Sequence, residues 1–206
     1  MTPDELAGVL GEPPTPEGTW EREAVYVSAA ALRRRLPAEE LAVRVRALDG
    51  VDSVEVRGKG FLRIVVGAPG TLATAEPPDV PFEPAWPDFP RTWENPGFVV
   101  RYGHARASAV QRWARQLGVP TGFSPELLSD PYHRWVLRVL AEVPGRLVSR
   151  EPGWESYLLR LALAYHDAHE WAPAVPVGDE EPGQVHAARV RVAEVVRKVL
   201  PGPDRL

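Results

Sequence analysis

The middle of this chain limits its folding more than any other part. Residues 68–96 read APGTLATAEPPDVPFEPAWPDFPRTWENP and hold eight prolines. Proline has no backbone N–H to donate and its ring clashes with the preceding helical turn, so regular helix is excluded across this stretch. The chain is therefore organised as one unit before the stretch and another after it. Four aromatic residues, Phe82, Trp86, Phe89 and Trp93, are interspersed among the prolines. They argue against a fully solvated linker, and part of the segment is expected to lie along a domain surface.

Ahead of it, residues 1–21 are acidic and proline-rich and are expected to form a flexible arm. Residues 24–36, AVYVSAAALRRRL, place apolar side chains at helix-compatible spacing until Pro37 interrupts. Pro37 suits the first position of a second helix, PAEELAVRVRAL, with Glu39 and Glu40 near its positive end. Asp49-Gly50 marks a turn. VDSVEVRG and GFLRIVVG then alternate apolar and polar residues, as half-buried strands do, around a tight link at Gly58-Lys59-Gly60. Residues 22–67 thus read as a small α+β domain and 68–93 as a proline-rich connector.

From residue 94 to the end the pattern is helical. GFVVRYGHARASAVQRWARQLG repeats apolar and small residues every three or four positions and closes at Gly118. SDPYHRWVLRVLAEVP offers Ser129 as a cap and stops before Pro144-Gly145. WESYLLRLALAYHDAHEWA and VHAARVRVAEVVRKVL complete a set of about four helices with short loops, which pack as an antiparallel bundle. The fold class expected is an α+β N-terminal domain followed by a mainly α-helical bundle.

Composition excludes several functions. The 206 residues include no cysteine, which removes disulfides, thiolate zinc sites and thiol catalysis. No apolar stretch approaches the roughly 18 residues of a membrane span, and the N-terminus lacks the basic and apolar regions of a signal peptide, so a cytoplasmic setting is expected. The net charge is −4, with an acidic first half and a slightly basic second half. A tight non-specific nucleic-acid binder carries a clear positive excess, which this chain lacks.

Three segments of the helical part resemble the anticodon-binding (DALR-type) domain of arginyl-tRNA synthetases. Val100-Arg101-Tyr102-Gly103-His104-Ala105-Arg106 is similar to that family's (V/L)QYAHAR. Tyr157-Leu158 through Ala162, Tyr165 and Pro173-Ala174-Val175 is similar to YLxxLAxxFxxFYxxCPVL. Ala187-Ala188-Arg189 through Leu200 is similar to AARLxLxxAxxxVL. The resemblance covers roughly residues 94–200. More loosely, residues 22–67 resemble the same enzymes' N-terminal domain, through Gly60-Phe61-Leu62-Arg63-Ile64 and the helix start at Pro37 to Val45.

What the resemblance implies is a tRNA partner. The nucleotide-binding core that separates these domains in the family is replaced by the connector. None of the five histidines, His104, His133, His166, His169 and His186, stands in an H-x-G-H motif, and neither lysine stands in a KMSK-like one. The expectation is therefore a non-catalytic tRNA-binding protein needing no cofactor. The alternative is a protein-interaction or regulatory module that kept the scaffold and lost RNA, with a protein partner.

The candidate RNA-contacting residues are Tyr102, Arg106, Arg101, Arg33 and Arg34. An aromatic ring on a helix face is a stacking platform for an unpaired base, although Tyr102 suits a place between helices equally well. Tyr102 and Arg106 share a face at i, i+4; Arg106 suits phosphate or a bundle-holding ion pair. Arg33 and Arg34 suit phosphates, or the negative end of their own helix. His166 and His169 at i, i+3 invite a metal reading, but no third ligand is nominated, and a solvated polar face is the preferred account.

Overall fold

The computed structural model describes residues 1–74, 76–81 and 85–202. Among them run eight α-helices and a four-stranded antiparallel sheet. Phe82 and the last four residues lie outside the described set.

The first 21 residues are not a flexible arm. They form helix α1 (Pro3–Leu10) and edge strand β1 (Thr15–Glu17). Thr2 and Glu5 build a reciprocal capping box at the start of α1, and Gly11 ends it in the left-handed conformation. Leu6 and Leu10 are completely buried and Trp20 nearly so. The proline content misleads because Pro3 starts a helix and Pro16 sits on an edge strand, two places where the missing N–H costs nothing. The pattern Thr2-x-x-Glu5 was the available sequence signal.

Residues 24–36 also differ from the expected helix. Strand β2 (Ala24–Ser28) takes the first half, and only Ala30–Arg34 (α2) is helical. Val25, Tyr26 and Val27 have side chains that favour a pleated surface, and β2 pairs on both sides, with Tyr26 opposite Pro16 of β1 and Ile64 of the strand to follow. Helix α3 (Ala38–Arg46) has Pro37 as its N-cap rather than its first residue. Strands β3 (Val51–Arg57) and β4 (Phe61–Val66) form the expected hairpin, turning through Gly58 and Gly60 at positive φ. The sheet order is β1-β2-β4-β3.

The connector packs. It opens with a 3₁₀ turn, Pro69–Thr74, in which Ala73 is fully buried. Gly70 is needed there, since a Cβ would sit 2.2 Å from the Pro125 carbonyl oxygen. Val80 is buried and Trp86 partly so. Helix α4 (Pro96–Gln116) follows, then α5 (Pro131–Leu140), α6 (Val143–Leu147), α7 (Trp154–Trp171) and α8 (Gln184–Val199). Asp130, not Ser129, caps α5 by accepting from the His133 N–H at 2.9 Å.

One continuous apolar cluster runs from Leu6 to Leu200, so the sheet unit and the bundle share a core. Arginines of α5 close the seam. Arg134 donates to the carbonyls of Trp20, Glu21 and Arg22, and Arg138 to those of Gly18 and Pro16. From α8, Arg191 donates to the carbonyls of Ala73 and Thr74, and Lys198 pairs with Glu76 at 2.5 Å.

Candidate nucleic-acid interface

Helix α4 begins where the connector ends, and Asn95 performs both tasks. Its Oδ1 accepts from the Gly97 N–H at 2.9 Å, while Nδ2 donates to the carbonyls of Pro87 and Pro90 at 2.9 and 2.8 Å. Gly97 permits this close approach: a Cβ there would lie 2.7 Å from the Trp86 Cβ and 2.9 Å from Arg101 Nη2.

Phe98, Tyr102 and Arg106 follow at successive four-residue steps and so form a column on one face of α4. The Phe98 and Tyr102 rings stack, 5.6 Å apart and inclined by 16°, and the Arg106 guanidinium lies 4.4 Å from the Tyr102 ring centre. Trp93, the last aromatic residue of the connector, meets the column edge-on. Its ring is 5.6 Å from Tyr102, 5.9 Å from Phe98 and 4.7 Å from His166. Across the crevice α7 supplies His166, whose Nδ1 is 2.8 Å from Arg106 Nη1, and Glu170, whose Oε1 is 2.5 Å from it. A guanidinium only donates, so this His166 nitrogen is the unprotonated one. The same guanidinium holds the Glu170 carboxyl below its ordinary range, first by hydrogen bonding and then by charge. Burial, with Arg106 nearby, keeps the neighbouring His169 imidazole less basic than usual.

This geometry places each candidate residue. Tyr102 is half-buried between Phe98 on one side and Arg106 on the other, so its flat faces are taken by its own helix. Arg106 already serves Tyr102, His166 and Glu170. Arg101 donates to the Pro87 carbonyl at 2.9 Å and pairs with Asp88 at 3.1 Å, holding the connector down. Arg33 pairs with Glu12 at 2.6 Å, and Arg34 donates to the carbonyls of Val9 and Leu10, closing the C-terminal end of α1. The partners of Arg33 and Arg34 lie at α1, so the five candidates fall into two separate places.

Sequence reasoning missed the residues that complete the crevice: Trp93, Phe98, His166 and Glu170. The i, i+4 repeat Phe98, Tyr102, Arg106 was legible in advance. The contribution of Trp93 was not, because it depends on where the connector lands. The ring surface left open belongs to Trp93, 49% exposed, and to Phe89, 68% exposed with the Arg91 guanidinium 5.1 Å from its ring centre. A shallow groove beside them is lined by Asp88, Arg91, Phe98, Arg101, Tyr102 and Ala105.

Two of the remaining histidines hold the fold. His133 is buried against Asp130, and His186 Nδ1 accepts from the Gly183 N–H at the start of α8. His104 is half-buried, and burial together with Arg197 keeps it less basic than usual.

The molecule so far is a mixed α/β chain whose helical part presents an aromatic and arginine-lined crevice. Among curated proteins it is similar to an arginine–tRNA ligase from Clavibacter sepedonicus, 40% identical over 117 residues, which takes in 53% of this chain and 21% of that protein. A region of this chain is thus related to arginine–tRNA ligase, and the chain spans about a fifth of that relative's length. No family model matches the chain, and no solved structure does.

Proposed function

We propose that this protein is a non-catalytic tRNA-binding protein of the cytoplasm. Its helical part, of the DALR anticodon-binding type, engages unpaired bases where the connector's Trp93 meets the crevice between α4 and α7. The observation that carries this reading is the half-exposed Trp93 ring above the Phe98–Tyr102–Arg106 column, beside a groove bounded by Arg91 and Arg101. Base stacking on an exposed ring is worth about 1–3 kcal/mol per base, and the Arg91 guanidinium, which lies over the Phe89 ring, suits a phosphate of the same strand. In this arrangement Tyr102 and Arg106 brace the platform. The relationship of part of the chain to arginine–tRNA ligase supports tRNA as the RNA. The absence of catalysis rests on the sequence, which places only the connector between the two units and sets none of its histidines in an H-x-G-H motif and neither lysine in a KMSK-like one.

A protein partner is the second reading. It is favoured by the carboxylates already pairing Arg101 and Arg106 and by Phe89 and Trp171, 68% and 70% exposed. Incubating the purified protein with total tRNA across a salt series, and sequencing what is retained, separates the two. Saturable retention of one or a few species that weakens with salt supports the RNA reading. No retention at low salt, where phosphate contacts are strongest, sinks it in favour of the protein partner.

A further inference from the structure

A second surface lies on the other side of α4. Where Phe98, Tyr102 and Arg106 face α7, the later residues Ser108 and Gln111 turn toward α8, and Gln111 Nε2 donates to the Val190 carbonyl at 3.2 Å. Between these two helices and the loop 119–123 runs an open groove. Its rim carries Arg112 and Arg115 from α4 and Arg197 from α8, and its wall includes Val119, Val190 and Phe123.

Among the described residues the arginine charge here has no carboxylate partner. Within that set, Arg112 and Arg115 donate only to the carbonyls of Ser108 (3.4 Å) and Gln111 (3.2 Å), one turn back on their own helix. Arg197 has no carboxylate at ion-pair distance among the described residues. The one carboxylate lining the groove among the described residues, Glu194, is already satisfied by Arg191 at 2.6 Å and Lys198 at 3.3 Å. In a chain of net charge −4, where Arg33, Arg63, Arg101, Arg106 and Arg138 all have carboxylate partners, three guanidiniums around one groove with no carboxylate partner among the described residues form a local anion-binding field.

We infer that this groove holds the sugar–phosphate backbone of a single-stranded nucleic acid, with Arg112, Arg115 and Arg197 on its phosphates. Guanidinium forks match phosphate oxygens in pairs. The apolar wall with the Phe123 ring suits the flat, weakly polar faces of ribose and base, which an acidic peptide does not offer. The assignment rests on the nucleic-acid reading above but uses a different face of α4 and different residues.

The test uses a fluorescein-labelled twelve-nucleotide oligouridylate, with the wild-type chain, the triple variant R112Q/R115Q/R197Q and Trp93→Ala. Each phosphate contact on a single strand contributes about 0.7 to the slope of log affinity against log salt. Three lost contacts flatten that slope by about 2. Between 50 and 200 mM salt the wild type then weakens by roughly 15- to 20-fold more than the triple variant. The three side chains sit on the groove's rim, so folding is spared. A triple variant with unchanged affinity and slope overturns the groove, as does displacement of the oligomer by polyglutamate as readily as by unlabelled RNA. A flattened slope with Trp93→Ala binding like wild type keeps the groove and overturns the crevice. Loss on Trp93→Ala alone does the reverse. No binding at low salt overturns both.

Discussion

The Arg106 guanidinium lies 4.4 Å from the centre of the Tyr102 ring, one helical turn away. The same group reaches Glu170 at 2.5 Å and His166 at 2.8 Å, so the pair fastens α4 to α7 across the crevice. A cation over a partly desolvated ring is worth about 0.5–2 kcal/mol. That couples the candidate RNA surface to bundle stability, and variants at the crevice must be read for both.

Trp93→Ala removes the exposed platform and its edge contacts but leaves the Phe98–Tyr102 stack and the Arg106–Glu170 ion pair in place. RNA affinity is expected to fall about tenfold or more, in line with a stacking loss of about 1–3 kcal/mol, with a small change in melting temperature. Tyr102→Ala is expected to lower both, because Phe98, Trp93 and Arg106 all lean on that ring. Tyr102→Phe keeps the ring and is expected to keep RNA affinity. Parallel binding isotherms and thermal melts check the set, and a Trp93→Ala protein that binds RNA normally defeats the crevice.

Gly70 and Gly8 respond oppositely to the same substitution. A Cβ at Gly70 meets the Pro125 backbone carbonyl at 2.2 Å, which no rotamer change relieves. Gly70→Ala is expected to destabilise by about 1–3 kcal/mol, typical of forced overpacking. Gly8 lies in the exposed face of α1 with nothing within 4 Å of the added carbon. Gly8→Ala is expected to stabilise by about 0.5–1 kcal/mol through helix propensity. Urea unfolding midpoints should move in opposite directions.

Tyr157 is fully buried, and its hydroxyl has no hydrogen-bond partner among the described residues. Burial pushes its phenol pKa up, so the group is a neutral, unsatisfied donor. An unmade buried hydrogen bond costs about 1–3 kcal/mol. The Arg146 guanidinium sits 4.8 Å from the ring centre, a contact that phenylalanine keeps. Tyr157→Phe should therefore leave stability unchanged or raise it, and a drop above about 1 kcal/mol in urea unfolding would expose a hidden partner of the hydroxyl.

Glu142 gathers three arginines. Arg138, Arg146 and Arg160 all donate to its carboxylate, which is 12% exposed. Removing the one anion leaves three cations together at a poorly solvated place. Glu142→Gln is expected to destabilise by about 3 kcal/mol, the scale for breaking a buried ion pair from one side. Added salt should restore part of it in thermal melts by screening the arginines from one another.

Asp130 sets an acid limit. Burial opposes its ionisation, but the hydrogen bond and charge of His133 and the charge of Arg189 outweigh that and hold its carboxyl at about 2. A folded-state value below the unfolded one means the stabilisation is complete above the unfolded carboxylate range and is lost as pH falls through about 4 toward 2. Asp130→Asn is expected to flatten this part of the stability profile and to lower stability at neutral pH by loss of the charged cap. Thermal melts of both proteins between pH 2 and 6 check the slope.

Periodicity and punctuation carried the helical half of the molecule. Helices α4, α5, α7 and α8 sit where apolar spacing and the Gly and Pro stops put them, because a long amphipathic helix declares its buried stripe through its own spacing. The β3–β4 hairpin was equally legible from alternation around Gly58 and Gly60. Shorter elements were not. Val25, Tyr26 and Val27 suit a strand or a helix until β4 offers them partners, and the prolines of residues 1–21 suit an arm until Leu6, Leu10 and Trp20 find a core to enter.

By itself, then, the sequence determined the four long helices α4, α5, α7 and α8, the stretch where the chain cannot be regular, and that Phe98, Tyr102 and Arg106 share one face, since each follows from spacing within a few turns of backbone. Only tertiary structure decided that Arg101 and Arg106 are spent on Asp88 and Glu170 while Arg112, Arg115 and Arg197 meet no carboxylate among the described residues. It also decided that Trp93, rather than Tyr102, offers the open ring. Whether a guanidinium or a ring is available depends on what distant segments bring within a few ångströms of it, and no local pattern encodes that distance.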